Sequence, residues 1–180
     1  MKVVLITGAS GSGKDSLLKG IKKNGQGHTR MVLIKRFITR PPDAHEENFF
    51  VDDSAFELLR NNDFFISCWQ AHGNSYGIAA NHLDSIRENS LAIVSVSRTA
   101  VKDFESKYPF VYTILVEVDR DTLKQRLLKR KREQGEAIDR RLQRQDIKVK
   151  ARELIRFDNS APLDQTVPVF NQLLSNLGAR

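Results

Sequence analysis

Nine consecutive residues, Gly8-Ala9-Ser10-Gly11-Ser12-Gly13-Lys14-Asp15-Ser16, constrain this chain more than any other stretch. They follow an apolar run, Val3-Val4-Leu5-Ile6, that reads as a short buried strand. They lead into Leu17, Leu18 and Ile21, which fall on one face of a helix. A strand, a glycine-rich turn and a helix are the context that a phosphate-binding loop requires. The glycines let backbone N–H groups turn inward around an anion, and the helix N-terminus adds partial positive charge. Gly8, Gly13 and Lys14 match the pattern of two glycines five apart followed by lysine. Lys14 is then placed to reach the outer phosphates of a nucleoside triphosphate. One position departs from the pattern. Asp15 stands where a Ser or Thr normally offers its hydroxyl to Mg²⁺, and Ser16 follows one place later.

Apolar and amphipathic stretches alternate along the rest of the chain. Strands are predicted at 31–34, 49–51, 64–70, 91–96, 111–118 and 154–157. Helices are predicted at 14–22, from an Asp53 or Ser54 cap to about 61, at 81–88 and at 99–107. Another starts at an Asp121 cap and breaks near Gly135; a basic helix follows from 136 to about 150, and a last one runs from 163 to 177. This alternation predicts an α/β fold, a mostly parallel sheet with helices on both faces, with ligands at the carboxyl ends of its strands. Pro41-Pro42 stops regular structure, which leaves Arg36, Thr39 and Arg40 at a strand end or loop start. The stretch from about 36 to 80 is richer in short strands and reads as a small lobe inserted in a single domain.

A chain of 180 residues suits one domain with a sizeable core. No apolar run approaches the ~20 residues of a membrane helix. The N-terminus enters a strand at once, so no signal peptide is expected. Cys68 is the sole cysteine, which excludes an intramolecular disulfide and fits a reducing cytoplasm. It lies in an apolar run and is a poor candidate nucleophile. The net charge of +7 is concentrated between 120 and 156, where 14 Lys plus Arg face 6 Asp plus Glu. Such a segment suits either nucleic acid or a cover for polyphosphate substrates. Exposed aromatics are not interleaved there, which disfavours stacking on single-stranded nucleic acid.

The phosphate loop, Thr39-Arg40-Pro41, a Tyr76-Gly77 segment and an Arg-rich helix pair occur in the order found in guanylate kinase-like P-loop NTPases. The resemblance covers essentially the whole chain. Within that group the chain more closely resembles the ribose 1,5-bisphosphate phosphokinases. Three segments carry this likeness: Gly13 to Leu17, Arg36 to Pro41, and Ser67 to Gly73 together with Tyr76-Gly77-Ile78. The resemblance implies transfer of the ATP γ-phosphoryl group to ribose 1,5-bisphosphate, giving 5-phosphoribosyl 1-diphosphate during phosphonate breakdown. It also makes Asp15 expected at its position. Guanylate kinases bind guanine partly through carboxylates. The corresponding positions here offer Gln70, Ser95 and Ser97, followed by Arg98. Hydroxyls and an amide cannot reproduce charge-assisted pairing with guanine N–H groups, so the acceptor is expected to lack a base.

Roles follow from the resemblance. Gly8, Ala9, Ser10, Gly11, Ser12, Gly13, Lys14, Asp15 and Ser16 hold ATP, with Arg126 and Asn159 near the nucleotide. Asp15 and Ser16 lie near Mg²⁺. No acidic residue stands where the strand at 91–96 ends, which leaves the rest of the ion's shell open, with Asp119 or Asp121 as candidates. Arg36, Thr39, Arg40, Gln70, His72, Tyr76 and Arg98 bind the phosphorylated sugar, Arg36 and Arg98 being the extra cations a second phosphate needs. Lys14, Arg130 and Arg141 act on the transferring phosphoryl group, the latter two from a lid at about 126–145. The competing expectations are a nucleoside monophosphate kinase and a non-catalytic binding module of the same fold; the intact loop disfavours the module. A monomer or a homodimer is compatible with the sequence.

Overall fold

The computed structural model describes residues 1–23, 30–42, 47–129 and 148–179. Its centre is a five-stranded sheet in the order β2-β7-β1-β8-β9, every neighbouring pair parallel. The strands are β1 (Lys2–Thr7), β2 (Arg30–Ile34), β7 (Ser90–Ser95), β8 (Val111–Glu117) and β9 (Leu154–Asp158). Parallel strands covered on both faces read as continuous apolar runs, as Val3 to Ile6 does. Successive residues of β1 serve opposite layers. Val4 and Ile6 pack with Leu17 and Ile21 of α1 (Lys14–Lys23) and Phe170 and Leu174 of the last helix, α6 (Leu163–Ala179). Val3 and Leu5 pack with Leu83 of α3 (Ala80–Asp84) and Phe104 of α4 (Val101–Lys107).

A second, four-stranded sheet has the order β4-β3-β6-β5. It comprises β3 (Phe37–Ile38), β4 (Phe49–Phe50), β5 (Phe65–Ala71) and β6 (Asn74–Ala79), with α2 (Asp53–Asn61) between β4 and β5. Gly77 lies against the Phe65 ring; a Cβ there would sit 2.6 Å from it, so this crossing of strands requires glycine. Ser67 Oγ donates to Asp103 Oδ2 at 2.7 Å and ties this sheet to α4.

Several elements differ from the sequence expectations. The segment after β5 is a tight hairpin: His72 and Gly73, both at positive φ, turn the chain directly into β6. The helix expected at 81–88 ends at Asp84. That expected at 99–107 begins as a 3₁₀ turn, Arg98–Ala100. The caps also shift. Asp52, not Asp53 or Ser54, accepts the Ala55 N–H at 2.8 Å and starts α2. Asp119, not Asp121, accepts the Thr122 N–H at 2.8 Å and starts α5 (Arg120–Lys129). Hydrogen bonding from Thr122, by its side chain first and by this backbone N–H second, holds the Asp119 carboxyl below its ordinary range. The second basic helix, the break near Gly135 and most of the lid at 126–145 lie outside the described residues. Lys148 to Lys150, its expected end, has no regular structure. Among the described residues, no helix is long and apolar enough to cross a membrane. Cys68 is exposed on β5, and its thiol is pushed up, mainly by partial burial, which disfavours the reactive thiolate.

Candidate active site

β1 delivers the chain to the glycine-rich turn at the carboxyl end of the parallel sheet, and α1 carries it away. Two glycines are demanded by close approach. A Cβ on Gly8 (φ 148°) would meet the Val116 carbonyl oxygen at 2.3 Å, and one on Gly13 (φ 89°) would meet Asn159 Nδ2 at 2.4 Å. Lys14 folds its ammonium back over the turn, donating to the carbonyls of Gly8 and Ala9 at 2.8 Å each. Asp15 occupies the first turn of α1, where the helix dipole favours a carboxylate. Ser16 is exposed on the same helix.

The floor of the loop comes from the other end of the chain. Asn159, just past β9, is fully buried and donates from Nδ2 to the Ser12 carbonyl at 2.7 Å. Arg126 of α5 donates to the Asn159 carbonyl at 2.9 Å and to that of Ser12 at 3.5 Å. Ser12 Oγ and Asn159 Oδ1 are buried without a hydrogen-bond partner. Orphaned polar atoms beside a glycine cradle are what a loop shaped for a polar ligand presents. Three residues expected around the nucleotide from distant parts of the chain are thus brought together. Asn159→Ala removes the tie to Ser12 and leaves a void. It is expected to raise the ATP KM about tenfold, measured by steady-state kinetics, with a much smaller change in the acceptor KM.

Facing the loop, the second sheet supplies cations. Arg36, between β2 and β3, has a side chain only 15% exposed and lies 3.6 Å from Asp15 Oδ1. It donates to Ser95 Oγ at 3.3 Å and sits 5.6 Å from the centre of the Tyr76 ring. Tyr76 is buried and stacks on Trp69, with ring centroids 5.6 Å apart and planes 4° from parallel. The Thr39 hydroxyl oxygen accepts the Ser75 N–H at 3.0 Å and ties the loop that carries Arg40 to β6. Asn48 braces the same loop by donating to the Arg40 carbonyl at 2.9 Å. Asn48 was not a sequence candidate; the only signal was a polar residue entering an apolar strand pair.

Arg98 is half-buried at the start of the 3₁₀ turn, and burial lowers its pKa, consistent with a cation that gains from an anionic partner. It lines a cavity of about 210 Å³ with Ala9, Ser12, the end of β8 from Leu115 to Glu117, and Val118 just after it. Gln70 is exposed on β5 and His72 is exposed at the hairpin tip. Arg130 and Arg141 lie outside the described residues. A glycine cradle with a lysine folded over it and the partly buried Arg36 and Arg98 beside it is an arrangement for bringing two anionic phosphates together.

The guanylate kinase family model matches residues 1–175. A relative from Desulfomicrobium baculatum, named ribose 1,5-bisphosphate phosphokinase, is 38% identical over 165 residues, spanning 90% of this chain and 88% of that one. A protein of the same name from Azotobacter vinelandii is 33% identical over 175 residues, spanning 96% and 95%. The crystal structure of guanylate kinase from Anaplasma phagocytophilum shares the fold, with a TM-score of 0.69 at 17% identity over 99% of this chain and 87% of that one. With its family model matched across nearly the whole length and its phosphate loop intact, the chain belongs to the guanylate kinase family and is a phosphotransferase.

Proposed function

We propose that this enzyme transfers the γ-phosphoryl group of ATP to ribose 1,5-bisphosphate, releasing ADP and 5-phosphoribosyl 1-diphosphate. An oxygen of the C1 phosphate forms the new bond to the γ-phosphorus, and the bond from that phosphorus to the oxygen bridging to the β-phosphate breaks, its electron pair leaving with ADP. The observation that carries the choice of acceptor is the partner of Arg36. Where the resemblance expects carboxylates reading a base, Ser95 instead orients a guanidinium. Cations at Arg36, beside the loop, and at Arg98, lining the cavity by Ala9 and Ser12, with Arg40 on the braced loop after β3, suit an acceptor that is anionic at both ends. The relatives named for this reaction support the same reading.

The chain's own residues divide the work. The loop backbone and Lys14 hold the β- and γ-phosphates and neutralise charge that develops on the transferring group. Asn159 and Arg126 keep the loop in shape behind the nucleotide. Thr39 and Asn48 fix the Arg40 loop. Mg²⁺ accompanies ATP and screens its phosphates when bound. Among the described residues no group of three or more His, Cys, Asp or Glu forms a cage. Asp15 beside the loop therefore fits an ion held by one protein carboxylate and by nucleotide oxygens.

The test is ADP release with ATP and Mg²⁺ and two acceptors side by side. Turnover is expected with ribose 1,5-bisphosphate, with GMP at least a hundredfold lower in kcat/KM, because a site that lacks the partners of guanine leaves its N–H groups unpaired. Preference for GMP would overturn the reading.

A further inference from the structure

Trp69, the sole tryptophan of the chain, lies where the second sheet meets the core. It stands directly opposite Tyr76 on the paired strands β5 and β6. Ile38 stands opposite Tyr76 on the other side, so the three side chains form one row across the sheet. Ile38 is fully buried and Tyr76 is 8% exposed. Trp69 is partly buried and packs against the hydrophobic cluster that contains Val94, Val96 and Val101. The Tyr76 ring therefore sits between an aliphatic side chain and an indole that is itself seated on the core.

The planes of Trp69 and Tyr76 are 4° apart. The other aromatic pairs among the described residues lie between 27° and 87°, most of them tilted or edge-on. Near-parallel stacking fixes the plane of the Tyr76 ring as well as filling space. That plane matters because the Arg36 guanidinium lies over the Tyr76 ring, 5.6 Å from its centre. The polar contacts of Arg36 with Ser95 Oγ at 3.3 Å and with Asp15 Oδ1 at 3.6 Å are both long for a charged donor. Neither is the two-point fork that sets the plane of a guanidinium. A flat ring against a planar guanidinium restricts its tilt.

We propose that Trp69 is a positioning residue for the acceptor: through Tyr76 it sets the orientation of Arg36, and with it the affinity for an acceptor phosphate. This rests on the reading that Arg36 meets the acceptor. Trp69 itself touches no substrate in this role. An aliphatic residue at position 69 would cover much of the same core surface but would let the Tyr76 ring tilt, and Arg36 with it. The effect falls on the acceptor and spares the nucleotide, whose loop is braced separately by Asn159 and Arg126.

The test is steady-state kinetics of Trp69→Leu and Trp69→Phe, each made alone and together with Arg36→Ala, with a thermal melt to confirm that every variant is folded at the assay temperature. Trp69→Leu is expected to raise the acceptor KM about tenfold while the ATP KM stays within about twofold. Trp69→Phe, which keeps a flat face, is expected to raise the acceptor KM no more than about threefold. Should Trp69→Leu not fold, Trp69→Met fills the space with an unbranched chain and no ring, and carries the same expectation. In the Arg36→Ala background the loss of the indole is expected to add less than about twofold, because the group it positions is gone. An unchanged acceptor KM in Trp69→Leu, an equal rise for both substrates, or a full effect that persists without Arg36 would overturn the proposal and leave Trp69 a packing residue. If the unaltered enzyme accepts GMP and not ribose 1,5-bisphosphate, the functional reading falls. The same split and the same coupling to Arg36 are then read with GMP and decide on Trp69 by themselves.

Discussion

Lys14→Ala is expected to reduce kcat by about 10³-fold or more while the protein stays folded. The ammonium rests on the Gly8 and Ala9 carbonyls, 2.8 Å from each, so it is already at the mouth of the loop before a nucleotide arrives. Charge spread over a transferring phosphoryl group is stabilised mainly by groups fixed in advance, and deleting one such group typically costs two to three orders of magnitude or more. Stability should change little, because Lys14 opens α1 and alanine is the better helix former. Steady-state rates together with a thermal melt separate the two effects. Lys14→Arg is expected to recover little, since a planar fork cannot replace a compact point charge in a turn this tight. Activity within tenfold of the unaltered enzyme in Lys14→Ala would remove this residue from the mechanism.

Arg40→Ala is expected to lower kcat/KM for the acceptor by roughly two to three orders of magnitude and to leave the ATP KM nearly unchanged. Its loop is fastened at two points, by the Thr39 hydroxyl to β6 and by the Asn48 amide to the Arg40 carbonyl. A side chain on a braced loop loses little freedom when it grips a phosphate, and truncating it leaves the anion without its partner in a partly buried pocket. The split between the two substrates is the informative part. An equal loss for ATP and for the acceptor would place Arg40 on the donor side or reduce it to a structural role.

The parts of this molecule that were legible in its sequence are those whose local chemistry has one outcome. The run from Val3 to Ile6 is buried on both faces, so its apolar continuity and the glycines after it announce strand and loop together. The caps were less legible because the choice is degenerate. Asp52 and Asp53 stand side by side, as Asp119 and Asp121 nearly do, and each carboxylate is chemically able to cap. β6 was missed for a different reason. Asn74-Ser75-Tyr76-Gly77 is polar and glycine-bearing, and it becomes a strand only through its pairing with β5 and β3. In the site, the glycine-rich loop was readable from its motif, and the acceptor residues were named from the resemblance alone. The contact of Arg36 with Ser95 spans 59 positions, and that with Asp15 joins two different elements. No local pattern encodes either contact. Thr39, named from the resemblance, also makes a contact no local pattern encodes: its hydroxyl oxygen accepts the Ser75 N–H.

The most direct measurement is phosphorus NMR of the products after incubation with ATP, Mg²⁺ and ribose 1,5-bisphosphate. The account predicts a second pair of mutually coupled diphosphate resonances besides those of ADP, with the C5 phosphomonoester signal retained. Consumption of ATP without that new pair, or a new diphosphate only when GMP is the acceptor, would contradict it.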